Sequence, residues 1–285
     1  MIAPFRRIRD NWDVLARTPL NRPRPFLLPT AQRAGVVLVG ALALVLFVGV
    51  LYDARLIGFA RELPVPIRAF FGRLTRFGQS DWLLIPSGAL TVIVALGDWR
   101  AVSRTSAAAW REIGTFAFVF FLTIAATGIV ADIIKPIVGR FRPDFVDGRV
   151  FAPLAFGGYG NYSFPSGHAT TMATVAIIAA FVPGRWTPPI LVAAALVAIS
   201  RIVIAAHFPS DVVAGTLLGL SVGWLMLRRS ANLRMAFVVR PDGRLDRRFG
   251  VLGHLRRRHR LASLLPALWL ALRPQPLPIR TPDQP

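Results

Sequence analysis

The chain contains no cysteine. That excludes disulfides, thiolate catalysis and cysteine-bound metals. Acid is also scarce: 14 Asp and Glu stand against 34 Lys and Arg, for a formal net charge of +20. No carboxylate cluster suited to Mg²⁺ lies near the motifs described below. Charged residues of both signs make up only 17% of the 285, against 54% hydrophobic. With a mean hydropathy of +0.53, this is not the composition of a soluble domain of that size. Lysine is nearly missing too. Among 34 basic residues the single lysine is Lys135, and a lone exception in a chain that otherwise uses arginine invites a chemical reason.

What the chain has instead is long apolar runs. Ala34 to Tyr52 is uncharged for nineteen residues, enough to cross a hydrocarbon core of about 30 Å at about 1.5 Å per residue. Ile113 to Ala131 is a second such run. Trp82–Gly97, His168–Val182, Pro188–Ala206 and Val212–Leu227 are shorter, and need flanking residues or local thinning to match a bilayer. The expected fold class is all-α: a polytopic six-transmembrane-helix bundle. The expected organisation is an Arg/Pro-rich arm over 1–33, a membrane domain over 34–228 and a basic tail over 229–285.

Six spans with the N-terminus inside put twenty-four Lys and Arg on the cytoplasmic side and ten on the other. This asymmetry obeys the positive-inside rule and predicts cytoplasmic termini. It reads the arginines as topology signals and as partners for anionic lipid at the cytoplasmic face, not as a nucleic-acid surface. The first span is expected to be retained, because the arm before it is too long and arginine-rich for a signal peptide. Leu63 to Phe77 has apolar spacing of three and four from Ile67 onward, which suits an interfacial amphipathic helix or a connector packed on the bundle. Residues 144–164 read as an ordered loop, a candidate lid. Leu252 to Leu272 reads as a surface helix with two solvated histidines. Pro86-Ser87-Gly88 lies within a span and carries no histidine, so it is set aside.

Three motifs carry the chemistry: Lys135-x6-Arg142-Pro143, Pro165-Ser166-Gly167-His168, and Ser200-Arg201-x5-His207-x3-Asp211. Ser166 is a natural N-cap, Gly167 permits close backbone approach, and free N–H groups at a helix start favour an anion. Taken alone, this motif also reads as a plain helix start. The four-residue spacing of His207 and Asp211 lets the carboxylate reach one ring nitrogen and leave the other as a nucleophile, or simply forms a structural pair. Arg201 interrupts an apolar run, where a charge usually has a pairing or functional role. Lys135 and Arg142 alone could be snorkelling cations. Alternating passage, however, puts the ends of the third to sixth spans on one non-cytoplasmic face, which lets all three motifs converge.

Together the three segments resemble the signature of the type 2 phosphatidic acid phosphatase superfamily, and all of its defining positions are present. The resemblance extends over roughly residues 34–228. It implies a membrane phosphatase without metal or other cofactor, acting through a phosphohistidine. His207 is then the nucleophile, Asp211 orients it, and His168 protonates the leaving oxygen and later activates water. Lys135, Arg142, Ser166, Gly167 and Arg201 hold the phosphoryl oxygens, with Pro143, Pro165 and Ser200 as supporting positions. The expected substrate is a membrane lipid phosphate or diphosphate: phosphatidic acid, phosphatidylglycerol phosphate, undecaprenyl diphosphate or lipid A. The expected location is a bacterial inner membrane, with the site facing the periplasm or exterior. Alternatives are a lipid phosphotransferase using the same site, a haloperoxidase, in which membrane spans have no evident role, and a non-enzymatic lipid binder or transporter, which needs neither His207 nor Asp211.

Overall fold

The computed structural model describes residues 11, 31–154, 156, 158–181, 184–240, 245–247, 250–251, 255 and 261–273. Most of the expected N-terminal arm lies outside the described residues, as do the tail histidines His254 and His259. The architecture is mostly helical. In chain order it comprises α1 (Ala31–Glu62), α2 (Val65–Leu74), α3 (Asp81–Leu96), α4 (Arg104–Val138), α5 (Gly167–Phe181), α6 (Thr187–Val203), α7 (Pro209–Asn232) and α8 (Leu264–Leu272). A two-stranded antiparallel hairpin, β1 (Phe237–Val239) with β2 (Leu245–Arg247), qualifies the all-α expectation.

Four helical stretches among the described residues are long and apolar enough to cross a membrane: Gln32–Glu62, Val65–Leu96, Arg104–Val138 and Pro209–Asn232. The sequence predicts six. The shortfall lies in α5 and α6, which have 15 and 17 residues and span about 22–26 Å, short of a bilayer core of about 30 Å. The segment expected to be an interfacial helix or a packed connector forms α2, a ten-residue helix with no buried residue, followed by a 3₁₀ turn at Thr75–Gly78; it is part of the Val65–Leu96 stretch. Pro86 and Ser87 lie inside α3, where the Ser87 hydroxyl donates to the Leu83 carbonyl at 2.6 Å.

The centre of the fold is the contact of α5 with α7. Gly215, Gly219 and Gly223 repeat every fourth residue and so line one face of α7. A Cβ at Gly215 would stand 2.4 Å from the Ser166 carbonyl oxygen, and one at Gly219 2.3 Å from that of Thr170. Small residues at this spacing let two backbones touch, a form of helix packing suited to a membrane interior. The contact sets the first turn of α5 against the first turn of α7, so two of the three motifs meet.

Behind this contact, Phe237 is fully buried with Val119, Ile178 and Leu227. The boundary expected at 228 therefore falls inside α7, and the hairpin beyond it packs on the bundle. The last helix, α8, buries Leu264 and Ala271 against Trp99 and Trp110, and the Trp110 indole donates to the Leu264 carbonyl at 2.9 Å.

Candidate active site

Helix α4 ends in a left-handed residue, Gly139 (φ +57°), whose N–H donates to the Lys135 carbonyl at 2.8 Å. A side chain there is doubly excluded, since a Cβ would lie 1.8 Å from the Ala152 carbonyl oxygen. Beyond it, the described part of the 144–164 loop folds back by backbone hydrogen bonds. Phe141 N–H donates to Val150, Arg142 to Gly160 and Ser163 to Arg140, at 2.8–2.9 Å. The loop is therefore tied to the strand-like segment that carries the first motif.

The third motif gets its geometry from the turn between α6 and α7. Ala205 adopts φ +53°, an unfavourable conformation costing an L-residue about 1–2 kcal/mol. It curls the chain so that the N–H groups of Ala206 and His207 both donate to the Arg201 carbonyl, at 3.0 and 3.1 Å. Pro209 then opens α7, whose fixed φ suits a helix start.

His207 is 2% exposed. Its Nδ1 lies 2.8 Å from the Ser163 carbonyl oxygen and its Nε2 3.2 Å from Arg142 Nη1. A carbonyl only accepts and a guanidinium only donates, so Nδ1 carries the proton and Nε2 the lone pair. Burial outweighs the neighbouring Asp211 carboxylate, with Arg142 and Arg201 adding to it, and the imidazole is held down at about 4. His207 is therefore neutral at neutral pH, with the lone pair of its Nε2 facing a guanidinium.

The expected pairing of Asp211 with that ring is looser than the spacing suggests, at 3.7 Å from Oδ2 to Nδ1. The reason is competition. Asp211 Oδ2 accepts from the Ser163 hydroxyl at 2.5 Å and from the Phe208 N–H at 3.0 Å, while Oδ1 accepts from Arg140 Nη1 at 2.6 Å. Ser163 thus stands between the two, giving its carbonyl to His207 and its hydroxyl to Asp211.

The cations gather around the same point. Arg142 donates to the carbonyls of Tyr159 and Ala206 at 2.9 and 3.1 Å and stacks over the Tyr159 ring at 3.8 Å. Burial lowers its guanidinium below the ordinary arginine value. Arg201, 6% exposed, donates to the Thr75 hydroxyl at 2.7 Å, and its Nε has no hydrogen-bond partner. Ser166 does not cap α5 with its side chain as expected. Its carbonyl accepts from Thr170 N–H at 3.0 Å, while its buried hydroxyl makes no hydrogen bond.

Lys135, Gly167 and His168 line a cleft of about 310 Å³ with Asp132 and Asp81. Lys135 Nζ donates to Asp132 at 2.6 Å, and the Cβ position of Gly167 is 3.5 Å from that Nζ. His168 packs on Gly78, where a Cβ would come within 2.6 Å of the imidazole. Pro143 and Pro165 are buried. Ser200 faces its own helix, its hydroxyl 2.5 Å from the Val197 carbonyl oxygen.

The structure thus brings the predicted residues of all three motifs to one end of the bundle, with the Ser200 hydroxyl turned away. It also brings in residues the sequence reading did not single out: Asp53, Arg140, Tyr159, Ser163 and Ser210. Arg140 sits inside the Lys135–Arg142 spacing and Asp53 directly follows an uncharged run, and these positions are the signals the sequence offers. Among the described residues no three His, Asp or Glu side chains gather as a metal site.

The PAP2 superfamily model matches residues 116–235, a stretch that holds every predicted site residue. The chain is 32% identical over 195 residues to a lipid A 1-phosphatase of Rhizobium johnstonii, covering 68% of this chain and 79% of that one. It is 33% identical over 154 residues to a decaprenylphosphoryl-5-phosphoribose phosphatase of Mycobacterium tuberculosis, covering 53% and 73%. A solved structure, the transmembrane PAP2 type phosphatidylglycerolphosphate phosphatase from Bacillus subtilis, aligns at 21% identity with a TM-score of 0.44, over 79% of this chain and 94% of that one. On the family's own model and on relatives matched across most of their length, this chain belongs to the PAP2 superfamily.

Proposed function

We propose that this protein is an integral membrane phosphatase that hydrolyses a lipid phosphate or diphosphate through a phosphohistidine on His207. One observation carries the reading: a buried, neutral imidazole with Nδ1–H tied to a carbonyl and its Nε2 lone pair facing Arg142. That is the state a nitrogen nucleophile requires.

In the first step the Nε2 lone pair attacks phosphorus and the bond from phosphorus to the leaving oxygen breaks, with His168 giving that oxygen a proton. In the second, His168 takes a proton from water, the resulting hydroxide attacks phosphorus, and the P–N bond breaks to release phosphate. Arg142, Arg201, Lys135, the Ser166 hydroxyl and the Gly167 N–H bind the phosphoryl oxygens, over which charge spreads in the transition state. The unpartnered Ser166 hydroxyl and Arg201 Nε support this role, since buried donors favour a ligand that satisfies them. The charge distribution supports a site on the non-cytoplasmic face. The relatives' names point to lipid A and polyprenyl-linked phosphates as the first substrates to test.

The test is phosphate release by the purified protein from a panel of lipid phosphates and diphosphates, with EDTA present. The expected result is turnover that survives EDTA and is abolished in His207→Ala. A strict Mg²⁺ requirement, or full activity in that variant, would contradict the mechanism.

A further inference from the structure

Around Asp211 lies a buried ionic network whose other members, Asp53, Arg140 and Ser210, are not defining positions of any of the three motifs. Asp53 comes from α1, Arg140 from the segment after α4, and Ser210 and Asp211 from the first turn of α7. Arg140 Nη2 donates to Asp53 Oδ2 at 2.7 Å, and Arg140 Nη1 to Asp211 Oδ1 at 2.6 Å. Asp53 in turn receives the Ser210 N–H at 2.9 Å and the Ser210 hydroxyl at 2.6 Å. Asp53, Arg140, Ser210 and Asp211 are 7%, 9%, 2% and 0% exposed.

A carboxylate–guanidinium–carboxylate triad this deep is costly to assemble and is weak evidence for stability alone. Its geometry is aimed at the nucleophile. The Arg140 side chain holds one oxygen of Asp211, while its carbonyl accepts the N–H of Ser163, the residue whose own carbonyl takes the Nδ1–H of His207. Its guanidinium also lies 4.3 Å over the ring of Phe208, the residue after His207. One arginine thus braces both neighbours of the imidazole, and Asp53 fixes the arginine.

We infer that Arg140, held by Asp53 of the first helix, is a positioning residue for phosphoryl transfer, aligning Asp211 and Ser163 about His207 without touching substrate. The inference rests on the phosphohistidine reading above. It assigns α1 a part in the chemistry: the helix supplies the carboxylate that anchors the nucleophile's support. Misplacement of a reacting group by about 1 Å lowers turnover about 10²-fold.

The experiment compares wild type with Arg140→Gln, Arg140→Lys and Asp53→Asn in detergent. It measures kcat and KM on a lipid phosphate that the wild type hydrolyses, the affinity for orthovanadate, and thermal stability. The expected result is a fall in kcat of about 10²-fold in Arg140→Gln, with KM and vanadate affinity near wild type because the phosphoryl cations are intact. Arg140→Lys should recover part of the loss, and Asp53→Asn should show a smaller fall in kcat. An unchanged kcat in Arg140→Gln and Asp53→Asn overturns the inference. So does a fall that appears only together with lost vanadate binding and early melting, which makes the network a stabilising one. If the wild type releases no phosphate and forms no phosphoprotein, the failure belongs to the parent reading.

Discussion

An ion pair and an ion triad with nearly equal N–O distances lie at this end of the bundle and behave as opposites. At the front, Lys135 meets Asp132 at 2.6 Å, three residues apart on one helix, with the carboxylate side chain 71% exposed. At the back, Arg140 meets Asp211 at 2.6 Å and Asp53 at 2.7 Å, with side chains no more than 10% exposed. An exposed pair is worth about 0–1 kcal/mol and is readily exchanged for another anion. Breaking a buried one by removing a partner costs about 3–5 kcal/mol. Distance alone does not separate them; solvent does. On the proposed mechanism the front pair would hold its lysine only until a phosphate replaces the carboxylate, whereas the back triad would keep one geometry throughout.

Substitutions on the two sides should therefore part company. Lys135→Ala is expected to lower kcat/KM about 10²-fold, the scale of losing one donor to developing charge. Insertion and melting should be unaffected, as an exposed pair contributes little. Steady-state kinetics beside a melting curve checks this, and a loss of folding equal to the loss of rate would erase the distinction drawn here.

The back side also sets a pH dependence. His207 is lowered from 6.5 to about 4, so the unfolded chain binds a proton in that window that the folded protein does not. Stability then falls as pH drops from 6.5 to about 4 and is insensitive to this group below it. His207→Gln has nothing to titrate there, and its melting temperature should fall by a few degrees less over the same window. Equal losses in the two proteins would mean that burial does not depress the imidazole.

The smallest effect belongs to Asp132→Asn. Freeing Lys135 from its partner should lower KM for a lipid phosphate by at most about five-fold, with kcat unchanged. A rise in KM would show that Asp132 presents the lysine rather than competing for it.

The sequence exposed the front of this site far better than the back. Lys135, Arg142, His168, Arg201, His207 and Asp211 stand out because chemistry-bearing residues recur at telling spacings at the ends of apolar runs. Arg140 reads in the sequence as one more charge in a connection, since its partners lie 87 and 71 residues away. Asp53 merely follows an uncharged run. Ser163 works largely through its backbone carbonyl, which a residue name does not advertise. The spacing of His207 and Asp211 allows a direct contact; Ser163, Arg140 and the Phe208 N–H draw the carboxylate away instead. The spans were legible where they were long. Length sets the limit at α5 and α6, while the Gly215–Gly219–Gly223 repeat, which lets α5 approach α7, is visible in the sequence but does not by itself name the helix it meets.

His207 is the residue on which the proposed phosphoryl transfer depends. The direct measurement is to quench the purified protein during turnover of a ³²P-labelled lipid phosphate, test the label for the acid lability and base stability of a phosphohistidine, and map it by mass spectrometry. The predicted result is a phosphoryl group on His207 Nε2, formed in the presence of EDTA and absent from His207→Ala. A wild-type protein that turns over substrate while carrying its label on any other residue would contradict the central claim.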